Sequence, residues 1–161
     1  MTYTRRYVWV LLLVVACLAL PFTAAQAQGD ETFVQYRQKV MSANGASMGA
    51  INDILKNKLP YQGHIATHAQ DIQHLSTLIA EAFKKEVTAG KTDAKPEIWK
   101  DWEKFAAAAK EVGEESGKLA AVARAGNMEA IEAQAKKLGE ACSSCHKPFR
   151  KPREESYKRQ Q

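Results

Sequence analysis

The chain has 161 residues, 45% of them hydrophobic and 25% charged, with a formal net charge of +5. That length suits one domain with a single core, and the charge excess is too small to argue for a nucleic-acid partner. The three cysteines fall at 17, 142 and 145, and the last two dominate the reading below.

The first 27 residues read as an export signal. Arg5 and Arg6 form a charged start, an apolar run follows from Tyr7 to Phe22, and Ala25-Gln26-Ala27 supplies a small-residue cleavage site. Pro21 interrupts the run, which is shorter than the ~20 residues a spanning helix needs. Val14-Val15-Ala16-Cys17 loosely resembles a lipoprotein site, but the apolar run continues past Cys17, so a lipid anchor there ranks second to cleavage after Ala27. The expectation is a signal peptide at 1–27, a mature domain at 28–161 with charge +3, and a periplasmic location.

From Asp30 onward the apolar residues recur at helical spacing. A first helix is expected over 31–58, with Phe33, Val40, Met41, Met48, Ile51 and Leu55 inward and Pro60 closing it. A second is expected over 61–88 through Ile65, Ile72, Leu75, Leu78, Ile79, Ala82 and Phe83, and Gly90 stops it. After a polar linker, Pro96 suits the first turn of a third helix, which carries Ile98, Trp99, Trp102, Phe105, Ala109, Val112, Leu119 and Val122. Asn127 is the expected N-cap of a fourth, with Met128, Ile131, Ala135, Leu138, Cys142 and Cys145 on one side. Short connections make neighbouring helices antiparallel, so the fold class is all-α, an up-down-up-down four-helix bundle. The basic tail at 147–159 reads more readily as a solvated, frayed end than as a docking patch. Gly113 and Gly117 weaken the third helix locally, and mark either a kink or close packing.

Cys142-Ser143-Ser144-Cys145-His146 is the attachment pattern of c-type haem. Each thiol adds to one haem vinyl group, and helical positions i, i+3 and i+4 share a face, which aims His146 at the iron. A dithiol redox motif would not need the histidine. A structural zinc site would need a further ligand, usually from a second Cys or His pair.

With that motif near its C-terminus, the chain resembles the class II cytochromes c, which include cytochrome c prime and low-spin relatives. The resemblance covers the mature chain and rests also on YRQKVM at 36–41, KLPY at 58–61 and KPEIWKDWEKF at 95–105. It implies one covalent haem c on Cys142 and Cys145, with His146 as proximal iron ligand. It further implies that Arg37 lies near a haem propionate, that Gln38 neighbours it, and that Met41 stands at the distal axial position. Read without the resemblance, Arg37 would be a solvated helix charge and Met41 core filler.

His64 and His68 are four apart, a spacing able to chelate, yet no third ligand follows, and His74 points elsewhere. Trp99 and Trp102 are read as packing against helix and haem. No carboxylate pair or nucleophile suggests catalysis, so the chain is not expected to be an enzyme. The first functional expectation is a periplasmic one-electron carrier meeting redox partner proteins, with Met41 as sixth ligand. The alternative is a high-spin protein of the cytochrome c prime type that binds nitric oxide or carbon monoxide. A homodimer is a further expectation from the family.

Overall fold

The computed structural model describes the backbone of residues 3–159 and the side chains of residues 29–159. The side chains of the expected export segment, including Cys17, lie outside the described residues. Helices α1 (Tyr3–Lys56), α2 (His64–Phe83), α3 (Glu97–Lys100), α4 (Trp102–Ala125) and α5 (Met128–Phe149) follow in order, then two 3-10 turns at Arg153–Glu155 and Tyr157–Arg159. The fold is the expected all-α four-helix bundle, with α3 as an added single turn. Helix α2 packs on α1 and α4, and α4 packs on α5, whereas α1 and α5 hardly touch.

The ends of the elements have local causes. Lys58 takes the left-handed conformation at φ 50, Leu59 N–H donates to Ile54 O at 3.0 Å and Lys58 N–H to Leu55 O at 3.4 Å, a Schellman stop that ends α1 before the expected boundary. Helix α2 is shorter than expected at both ends, and after its C-terminal end two carbonyls, those of Val87 and Lys91, accept from α1 side chains instead of continuing the helix. Arg37 Nη2 donates to Val87 O at 2.9 Å and Gln38 Nε2 to Lys91 O at 2.6 Å. The expected third helix is broken at Asp101 (φ −114, ψ 46). The turn before the break is held from elsewhere, with Trp99 Nε1 donating to Phe83 O at 2.8 Å and Lys95 N–H to Phe149 O at 3.0 Å. Asn127 caps α5 as expected, its side chain accepting from Ala130 N–H at 3.0 Å.

The core falls into two clusters. Ile51, Ile65, Ile72, Leu119, Ile131 and Leu138 centre one, with Met48, Leu55 and Cys142 at its margin. Val40, Phe83, Ile98, Phe105 and Phe149 centre the other, with Met41, Trp99, Trp102 and Cys145 at its margin. Phe33, Leu78 and Met128, expected inward, are exposed. Their stripes are wider than the face each helix actually buries, and Phe33 instead lies under the Lys85 ammonium, 4.7 Å from its ring centre.

The tail corrects a second expectation, for it is tied down. The Asp93 carboxylate accepts from Ser156 Oγ at 2.8 Å and from Tyr157 N–H at 3.0 Å, and Arg150 Nη2 lies 3.5 Å away. Lys151 N–H donates to Asp93 O at 2.8 Å, Lys151 Nζ to Thr92 O at 3.2 Å, and Ala94 forms an antiparallel bridge with Arg150. One loop therefore grips α1 on one side and the end of α5 on the other.

Gly113 and Gly117 mark close packing of α4 on α2. A Cβ on Gly113 would meet Ser76 Oγ at 2.5 Å, and one on Gly117 would meet Gln73 Nε2 at 2.6 Å. Gln73 is exposed and its amide can swing aside, but Ser76 is buried and its hydroxyl is bonded to Gln73 O at 2.7 Å. Gly117→Ala should accordingly recover most of the ~1 kcal/mol that glycine costs in a helix, while Gly113→Ala should lose about 1 kcal/mol to overpacking. Denaturant unfolding of the two variants measures this, and equal stabilisation by both would contradict the packing described. Asp93→Ala removes the acceptor of the tail contacts, worth about 2 kcal/mol together. Trypsin should then cut after Arg150 or Arg153 some ~30-fold faster, as expected for local opening, and an unchanged rate would contradict the clasp.

Candidate haem site

The motif at the end of α5 is placed as its spacing requires. Cys142 and Cys145 are half-buried free thiols; Cys142 packs at the margin of the cluster centred on Ile51 and Leu138, and Cys145 at the margin of the other, as does Met41. Burial raises the pKa of the Cys142 thiol, and burial with the neighbouring Cys142 and Glu111 pushes Cys145 up to about 11. Both are neutral thiols at physiological pH. His146 follows on the exposed side of the last turn. Its pKa is lowered, first by partial desolvation and then by the charge of Arg150, which favours the neutral imidazole, able to donate a lone pair to a metal.

Helix α1 supplies the facing residues. Arg37 is only 2% exposed, and burial lowers its pKa, although a guanidinium remains charged. Its charge lies between two rings, 5.1 Å from the centre of Phe83 and 5.5 Å from that of Trp99. Nη2 is bonded to Val87 O, but Nη1 is buried and has no hydrogen-bond partner. A buried cationic donor left unpaired is costly, and a carboxylate brought alongside would satisfy it. Gln38, by contrast, is occupied with Lys91 O. Met41, one turn after Arg37, is partly buried against the aromatic cluster with Trp99 and Trp102.

Between α1 and α5 runs an open groove of about 510 Å³. Met48, Asn52 and Leu55 line it from α1, and Glu132, Ala135, Lys136, Gly139, Glu140 and Ser143 from α5. Two unpaired thiols one helical turn apart, a neutral imidazole next to them and a buried unsatisfied guanidinium suit haem c with its propionates. Met41 and Cys145 pack against one core cluster and Cys142 against the other, Arg37 lies between Phe83 and Trp99, and Gln38 holds the loop, so the groove is bordered by Ser143 of the motif but by neither thiol.

Sequence reasoning did not find the partners of Arg37. Val87 falls inside the expected second helix, Phe83 is expected in the core and Trp99 against helix and haem, so nothing in the pattern pairs them with an arginine on the first helix. It also passed over Asp93, whose one signal was its place in the polar linker Lys91-Thr92-Asp93-Ala94. His64 stacks on Tyr61 with ring centres 5.2 Å apart, and His68 lies 4.0 Å from Asp71. Among the described residues no group of three His, Cys, Asp or Glu side chains is arranged to hold a metal.

Comparison with known proteins agrees with this geometry. The family model of cytochrome c prime matches residues 32–150. Cytochrome c prime of Rhodospirillum rubrum is 39% identical over 143 residues, covering 86% of this chain and 97% of the relative. Cytochrome c-556 of Agrobacterium tumefaciens is 30% identical over 73% of this chain and 95% of its own. Among solved structures, a nitric oxide complex of a mutant cytochrome c prime from Alcaligenes xylosoxidans superposes with a TM-score of 0.67 at 31% identity, over 76% of this chain and 97% of that one. The chain belongs to the cytochrome c prime family, whose members carry one covalently bound haem c.

Proposed function

We propose that this protein binds nitric oxide or carbon monoxide at an open position of its haem iron, with Met41 as an apolar lid. In this reading Cys142 and Cys145 hold the haem by thioethers, His146 is the proximal ligand, and Arg37 pairs with a propionate. When bound, the haem supplies an iron centre that changes by one electron and takes a diatomic ligand. The protein's own part is to bind and orient that group, to keep water from its inner face with the Phe83, Phe105, Trp99 and Trp102 rings, and to hold His146 in the neutral form.

The observation that carries the reading is the setting of Met41. Met41 is partly buried against the cluster that contains Phe83, Phe105 and Phe149, and methionine packs readily in such settings without binding a metal. Reaching a metal would mean leaving that packing. Similar cytochromes c prime, 31% and 30% identical, have been solved with nitric oxide bound, which favours the gas-binding role over the one-electron carrier expected first. The carrier remains the second reading, since a methionine ligand would stabilise ferrous iron. A periplasmic location after removal of residues 1–27 is part of the proposal, as is the absence of substrate turnover.

Met41→Ala tests the lid. Carbon monoxide should combine with the ferrous variant about tenfold faster than with the wild type, the equivalent of ~1.4 kcal/mol of packing no longer displaced. Both proteins should be high-spin before the gas is added. A wild type that excludes the gas until Met41 is removed would make Met41 a ligand and restore the carrier. The Cys142→Ala, Cys145→Ala double variant should lose haem to acid-acetone extraction, and haem that resists extraction would refute attachment at these residues.

A further inference from the structure

The positive charge of this protein is concentrated in one short stretch. Residues 28–146 hold 15 basic and 16 acidic side chains, a balance of −1, whereas residues 147–159 hold six basic and two acidic ones, a balance of +4. Such a run at a chain end ordinarily waves in solvent and presents no fixed surface. Here it does not. The Asp93 carboxylate, only 11% exposed, takes Ser156, Tyr157 and Arg150, the Lys151 ammonium caps Thr92 O, and Ser156 is buried at 5%. The two 3-10 turns that result hold Arg153, Lys158 and Arg159 outward, all exposed, next to exposed Lys147 and Arg150. Lys147 adjoins His146 in sequence, and Arg150 lies one helical turn on, its N–H donating to His146 O at 3.0 Å. The order costs the segment conformational entropy that a mere solubilising tail would not need to lose.

We infer that the ordered segment 147–159 is a docking face for an acidic one-electron donor protein, which delivers its electron beside His146. This rests on the haem placement given above. In the transfer, the donor loses one electron and the ferric iron becomes ferrous, with no bond made or broken. A protein is favoured over an anionic membrane because the segment presents no exposed large apolar side chain to enter lipid. Fixed positive charge around the point of electron entry raises the rate of encounter with an acidic partner, and salt weakens it.

The test compares the holoprotein with two triple variants of equal net charge. One neutralises the face, R153Q/K158Q/R159Q, and the other neutralises exposed sites elsewhere, K56Q/K104Q/R124Q. Reduced flavodoxin, an acidic protein, serves as donor and is followed by stopped flow at low and high salt. The face variant should be reduced at least fivefold more slowly than wild type at low salt, with a shallower salt dependence, and the distant variant should resemble wild type. Equal slowing of both triples would mean that net charge alone acts, and would overturn the docking face. So would unchanged rates, including a case in which the segment instead binds phosphatidylglycerol vesicles. Carbon monoxide binding measured on the same samples keeps the two claims separate, because it should be the same in all three proteins whether or not the face steers a donor.

Discussion

The arrangement depends on the burial of one charge, the Arg37 guanidinium. Removing a charge from water costs several kcal/mol unless it is paired, so the surroundings of Arg37 must compensate. They do so from three separate segments: the ring of Phe83 at the end of α2, the ring of Trp99 on α3 and the carbonyl of Val87 in the loop between them. Satisfying Arg37 therefore fixes how α2 ends, where α3 starts and how closely both approach α1. What is left over is Nη1, a buried donor facing no acceptor, and an anionic group brought alongside would satisfy it.

The same loop helps to set the spacing of α1 and α5, which make few direct contacts. From Arg37 and Gln38 it is gripped by α1, and through Asp93, Ala94 and Lys95 it grips the end of α5 and the tail. The loop bridges the two helices at one end, and further along an open groove remains between them, with Met48 and Leu55 on one wall, Ala135 and Gly139 on the other, and Glu132, Lys136 and Glu140 also lining it.

Much of this was legible in the sequence. The Cys-x-x-Cys-His run named the cofactor, helical spacing gave four main helices, and Asn127 announced its cap. The parts that were not legible share a cause: they are set by contacts distant in sequence. The break at Asp101 arises because Trp99 is tied to Phe83, not from any helix-breaking residue there. The shortening of α2 arises because Arg37 claims Val87, and the order of the tail arises from Asp93, some sixty residues away. The expected inward faces of Phe33, Leu78 and Met128 failed because periodicity marks a stripe but not its width. Gly113 and Gly117 could be seen as either a kink or a close approach, and only the positions of Ser76 and Gln73 decide for the latter.

The central claim is that the iron position facing Met41 is open. Electron paramagnetic resonance of the ferric wild-type holoprotein addresses it most directly, since the spin state reports whether a sixth strong ligand is present. The account predicts a high-spin ferric signal that nitric oxide abolishes. A low-spin signal that persists when the gas is added would contradict it and make Met41 a ligand.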